Sequence, residues 1–193
     1  MNLDIKSGLL SGAEFIASPN FDERDKHCEV EAVIVHCISL PPGEYGLGAI
    51  SRFFTNNLSA DEHPYYQSMA HLTVSSHFLI ERSGKLIQFV STNKRAWHAG
   101  ESVCLGKPKV NNFSIGIELE GLDTDKNGFT EQQYDVLNSL IQLLRQHYSL
   151  IKSDNIFAHS DIAPGRKPDP GPCLLYTSPS PRDQRGSRMP SSA

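Results

Sequence analysis

The apolar positions of this chain fall into short runs and stripes with two different periods. Residues 31–38, Glu-Ala-Val-Ile-Val-His-Cys-Ile, are β-branched and almost all apolar, the pattern of a strand buried on both faces. Pro41-Pro42-Gly43 stops that strand. Ile50, Phe53, Phe54 and Leu58 then recur at helical spacing and predict a short amphipathic helix over 47–57. Residues 61–76 read as irregular. Residues 78–81 and 85–90 flank Arg82-Ser83-Gly84, a hairpin signal in which the glycine supplies a positive φ. Residues 91–112 form a long connection holding Trp97, His98, Gly100, Gly106 and Pro108, and connections of that length are usually functional or disordered. Ser114 to Glu120 alternates as a strand. Thr130 and Gln133 make a capping box, and Tyr134, Leu137, Leu140, Ile141, Leu144 and His147 follow at spacings of three and four. Ile156 to His159 reads as a last short strand. Strands interleaved with two helices predict an α/β (α+β) domain, a mixed central sheet flanked by helices.

The pattern stops at Cys173. Pro, Ser and Arg dominate residues 173–193, and no period survives there. Such a composition cannot bury enough apolar surface to offset its ordering entropy. The string resembles translated adapter or vector sequence. The expectation is therefore one domain over 1–172, followed by a disordered, non-native tail that replaces the native C-terminus. A length of 193 residues suits a single domain. Wholesale disorder is excluded by 38% hydrophobic and 21% charged residues. A net charge of -4 leaves no electrostatic footprint for nucleic acid or an anionic membrane. No apolar stretch approaches the roughly 18 residues of a membrane span. Residues 1–10 lack the pattern of a secretory signal, and Cys28, Cys37, Cys104 and Cys173 lack CxxC spacing. Together these predict a cytoplasmic monomer.

Candidate chemistry converges on three positions. His36 lies late in the 31–38 strand, His159 ends the last strand, and Asp169 follows ten residues on in a Pro/Gly-rich segment. Strand ends that feed loops are where a rigid scaffold presents reactive groups. Two imidazoles and a carboxylate would make a three-ligand zinc site with its fourth position open, the catalytic arrangement. From spacing alone the signal is weak, because a strand histidine is more often a hydrogen-bonded structural residue. Glu118 and Glu120 share one strand face, where a solvated edge carboxylate is the default reading. Arg166-Lys167 reads as a solvated loop pair, Trp97-His98 as loop packing or a substrate wall, and His71 and His77 as structural.

Four blocks change that weighting: Val35-His36-Cys37 through Gly46, Lys94-Arg-Ala-Trp97-His98-Ala-Gly100, Asn112 through Glu118 to Gly121, and His159-Ser-Asp-Ile-Ala-Pro-Gly-Arg166-Lys167-Pro-Asp169-Pro-Gly-Pro172. In that order they resemble the AmpD-type N-acetylmuramoyl-L-alanine amidases, zinc enzymes related to phage lysozyme-amidases and peptidoglycan recognition proteins. The resemblance covers roughly residues 8–172. It implies hydrolysis of the amide between anhydro-N-acetylmuramic acid and L-alanine in muropeptides recycled through the cytoplasm. It also implies one Zn²⁺ held by His36, His159 and Asp169, with Glu118 as catalytic carboxylate and Lys167 as oxyanion-stabilising cation. An amide is a poor electrophile with a basic leaving group, so these are the roles its cleavage needs. Cys37, Trp97, His98 and Arg166 are the candidate substrate contacts. Cys37 departs from the family, which commonly has Asn there, and a thiol is the weaker hydrogen-bonding group.

Two rival functions remain at this point. A secreted autolysin or phage-type endolysin would act on intact murein, and the lack of a secretory signal speaks against it. A non-catalytic muropeptide receptor should lack a zinc ligand, whereas all three candidates are in place here.

Overall fold

The computed structural model describes residues 1–124 and 128–171. Its strands are β1 (Asn2–Asp4), β2 (Leu9–Ser11), β3 (Glu14–Phe15), β4 (Phe21–Glu23), β5 (Ala32–Ile38), β6 (Phe78–Ile80), β7 (Leu86–Gln88), β8 (Lys94–Ala96), β9 (Val103–Cys104), β10 (Lys107–Pro108), β11 (Ser114–Glu120) and β12 (Ile156–Ala158). The helices are α1 (Ala49–Phe54), α2 (Glu131–His147) and α3 (His159–Ile162). Six strands form the main sheet in the order β12-β5-β11-β6-β7-β3. β12, β5, β11 and β6 run parallel, β7 returns antiparallel to β6, and β3 runs parallel to β7. The sheet is therefore mixed, as the alternating periods predict.

Alternation sorts the central strands into two faces. Val33 and Val35 of β5 and Ile115, Ile117 and Leu119 of β11 pack with Leu137, Leu140 and Leu144, the apolar stripe of α2. Ala32 and Ile34 face the other way, into a cluster with Val110, Phe113 and Ile162. His36 continues this second face on β5, and Ser114, Gly116 and Glu118 share it on β11. α2 begins with both halves of its capping box. The Thr130 hydroxyl accepts from the Gln133 amide at 3.2 Å, and the Gln133 side chain accepts from the Thr130 amide at 3.0 Å.

Several expectations shift at the edges. The 47–57 helix is confined to Ala49–Phe54, and Leu58 still reaches the same buried cluster from outside it. The last strand ends at Ala158. His159 instead opens a helical turn, where the Asp161 carboxylate accepts from the Ala158 amide at 2.9 Å. Residues 61–76 include a 3₁₀ turn at Pro64–Ser68. The 91–112 connection is ordered: it contains β8, the β9–β10 hairpin and a 3₁₀ turn at Val110–Asn112. The expected tail at 173–193 lies outside the described residues, as does Cys173.

Candidate active site

Register builds most of the site. In the parallel pair of β5 and β11, His36 stands beside Glu118. On the other side of β5, Ala158 pairs with Val35, so His159 follows at the level of His36. His159, His36 and Glu118 therefore form a row across the carboxyl ends of three parallel strands, where open α/β sheets present their ligand sites. Asp169 returns to this row from the loop after α3, and its carbonyl accepts from the Ser160 amide at 2.9 Å.

Three atoms converge there. His36 Nδ1 lies 2.9 Å from His159 Nδ1, and Asp169 Oδ2 lies 3.4 Å from the His36 nitrogen and 3.1 Å from the His159 nitrogen. The far nitrogen of each ring is engaged elsewhere: His159 Nε2 meets the Ala99 carbonyl at 3.2 Å, and His36 Nε2 meets His98 Nδ1 at 3.0 Å. Engagement of the outer nitrogen is how metal-binding imidazoles are oriented. The separations also suit tetrahedral coordination, in which ligands at about 2 Å from zinc stand roughly 3.3 Å apart. Among the described residues this is the one His/Cys/Asp/Glu grouping that could hold a metal ion.

Electrostatics divides the surrounding groups. Burial lowers the pKa of His36 to about 4, against the raising influence of Asp169, so its ring is neutral at physiological pH. Burial works to raise Asp169, but its contacts with His159 and His36 outweigh that and hold the group as a carboxylate. Glu118 moves oppositely. Burial pushes its carboxyl well above the ordinary range, the Asp169 charge adds to the shift, and Lys167 opposes it. Glu118 Oε2 is buried without a hydrogen-bond partner. Glu120, two residues on, has partners for both oxygens, from the amides of Gly46 at 2.6 Å and Arg82 at 3.0 Å. Neither glutamate is the solvated edge carboxylate that alternation suggests. They are 8% and 4% exposed, because β11 lies inside the sheet.

A cleft of about 320 Å³ opens over this row, and His36, Cys37, Trp97, His98, Lys167 and Asp169 are among its lining residues. Lys167 is exposed, as its loop position suggests. Tyr65, Met69 and Leu72 add an apolar wall to the cleft. They come from the segment read as irregular, which has no period to mark them. Arg166 lines an adjoining hollow with Trp97 and His98, and its guanidinium donates to the carbonyls of Ala99 and Glu101. His98 is similarly committed, with both ring nitrogens in hydrogen bonds to His36 and Ser114. Trp97 and Cys37, the other two expected substrate contacts, both line the cleft itself.

Three converging donors, an unpartnered carboxylate and a nearby ammonium define a candidate hydrolytic metal centre. The sequence pattern of the N-acetylmuramoyl-L-alanine amidases matches residues 26–172. The chain is 46% identical over 173 residues to the 1,6-anhydro-N-acetylmuramyl-L-alanine amidase AmpD of Enterobacter cloacae, covering 90% of this chain and 91% of that one. A crystal structure of a selenomethionine AmpD derivative superposes with a TM-score of 0.87 at 42% identity, covering 96% and 98% of the two chains. The Escherichia coli amidase AmiD, solved with anhydro-N-acetylmuramic acid-L-Ala-D-γ-Glu-L-Lys, superposes with a TM-score of 0.54 at 25% identity, over 81% of this chain and 63% of that one. The chain belongs to the N-acetylmuramoyl-L-alanine amidase family.

Proposed function

We propose that this protein hydrolyses the amide between 1,6-anhydro-N-acetylmuramic acid and L-alanine in muropeptides, as a zinc-dependent cytoplasmic monomer of peptidoglycan recycling whose domain ends near residue 172. The observation that carries this reading is the meeting of His36 Nδ1, His159 Nδ1 and Asp169 Oδ2 beside the unpartnered Oε2 of Glu118. The names of its relatives support the bond and the sugar. Among the described residues no helix is long and apolar enough to cross a membrane.

His36, His159 and Asp169 would hold the zinc ion. When bound, zinc supplies Lewis acidity that acidifies water and polarises the scissile carbonyl. Glu118 Oε2 accepts a proton from the attacking water as the C–O bond forms, and its raised pKa lets it keep that proton. When the C–N bond breaks, the same oxygen returns the proton to the leaving L-alanine nitrogen. Lys167, exposed on the cleft wall, sets a positive charge toward the developing oxyanion. Trp97 offers a flat apolar face for a sugar ring or stem peptide.

Glu118→Gln and Lys167→Ala test these roles. Both variants should retain stoichiometric zinc. Turnover should fall by about 10²–10⁴ in the first, the usual contribution of a positioned base. In the second, loss of an oxyanion donor typically costs ~2.7–4 kcal/mol of transition-state stabilisation. Near-normal kcat in Glu118→Gln at verified zinc occupancy would remove it as the base.

A further inference from the structure

His98 lies across the face of β11, and two alternate residues of that strand serve it in different ways. Ser114 Oγ is 3.2 Å from its Nε2. Gly116 makes room for its ring, since a Cβ there would stand 2.5 Å from His98 Cγ. Glu118 lies one step further along the same face, beside His36. The backbone of the histidine is pinned too, with the amides of His98 and Ala99 donating to Asn111 Oδ1 at 3.2 Å and 2.8 Å.

We propose that Ser114 and His98 form a hydrogen-bond relay that fixes the tautomer of His36 and leaves its Nδ1 lone pair free for the metal. This rests on the metal assignment made above. The Ser114 hydroxyl has one proton, and it goes to the Val110 carbonyl, its closer partner at 2.7 Å. Ser114 Oγ must then accept from His98 Nε2–H. A neutral imidazole with its proton on Nε2 has only a lone pair at Nδ1. His98 Nδ1 therefore accepts from His36 Nε2–H at 3.0 Å, and the Nδ1 of His36 is left unprotonated toward His159 and Asp169. His77, which also packs against His98, offers no competing partner. Its Nδ1 accepts from the Gly116 amide at 3.0 Å, and its Nε2 donates to the Lys94 carbonyl at 3.1 Å.

The same atoms allow one other wiring. If the Ser114 proton turned to His98 Nε2, His98 would carry its own proton on Nδ1 and His36 would have to accept it at Nε2. The His36 proton would then sit on Nδ1 and block the metal. The relay thus makes Ser114 and His98 positioning residues for a ligand that Ser114 does not touch.

Long-range ¹H–¹⁵N spectra of the histidine rings, recorded with and without zinc, test the wiring directly. The expected result is Nε2–H tautomers at both His36 and His98, with zinc shifting the Nδ1 of His36 and of His159 but not that of His98. Ser114→Thr and Ser114→Val have the same shape and differ by the hydroxyl. Zinc competition against a chelating indicator should show roughly 10–100-fold weaker binding in the Val variant than in the Thr variant, the usual effect of losing an outer partner. Equal zinc affinity in the two variants would overturn the relay. So would a His98 protonated on Nδ1 in the unsubstituted protein, and that reading stands even where neither variant folds. A His36 ring that does not respond to zinc at all would instead overturn the metal assignment.

Discussion

Glu118 and Glu120 are chemically identical and two residues apart, yet only Glu120 has partners for both oxygens. Burial without compensation makes Glu118 bind its proton more tightly in the folded chain than in the unfolded one. Its favourable contribution is therefore complete below its ordinary pKa of 4.5 and is lost as the pH rises through the folded value. Glutamine cannot ionise and escapes that loss. In chelator-treated protein, Glu118→Gln should gain stability over the unsubstituted chain as the pH rises from about 4 to about 7, with the two most alike at the acid end. Urea midpoints at both pH values check this, and a gap independent of pH would contradict the buried, unpartnered carboxylate. At this scale the sequence carries the ligand residues only weakly. His36, His159 and Asp169 are separated by 123 and 10 positions, and spacing cannot bring them together without the sheet. The motif blocks supplied what the spacing lacked. Ser114 and Gly116 carried no chemical signal, since their roles exist only once His98 crosses β11.

At the level of elements, legibility followed periodicity. The apolar run of β5 and the stripe of α2 are readable because each buries a continuous face. α3 was not readable: four residues have no period, and the turn at His159 depends on the Asp161 carboxylate and on Asp169 accepting from Ser160. The burial of Glu118 is hidden from the sequence for a related reason, because alternation does not reveal whether a strand is central or at an edge. α2 offers a test separable from catalysis. Thr130 caps it, and Gln133 donates to the Ile80 and Glu120 carbonyls, both at 3.0 Å, tying the helix to β6 and β11. Thr130→Ala should cost about 1 kcal/mol in chemical denaturation while leaving kcat unchanged. A large loss of turnover with little loss of stability would place the capping box in the site instead.

Across the whole molecule, the parallel strands gather histidines from β5 and the start of α3 at one end of the sheet, and the loop after α3 closes the set with Asp169. That geometry is complete within residues 1–171. Deleting residues 173–193 should accordingly leave zinc stoichiometry and turnover unchanged, and a specific rise in KM on deletion would show that this segment recognises substrate. The central claim is that one zinc ion at His36, His159 and Asp169 enables muropeptide amide hydrolysis. Its most direct test is the zinc content of purified protein, measured together with release of the L-Ala-headed peptide from an anhydromuramyl peptide, before chelation, after chelation and after zinc is restored. The account predicts one zinc per chain, loss of peptide release on chelation and its return with zinc, and neither zinc nor release in His36→Ala or His159→Ala. Full peptide release from metal-free protein, or stoichiometric zinc in both histidine variants, would contradict it.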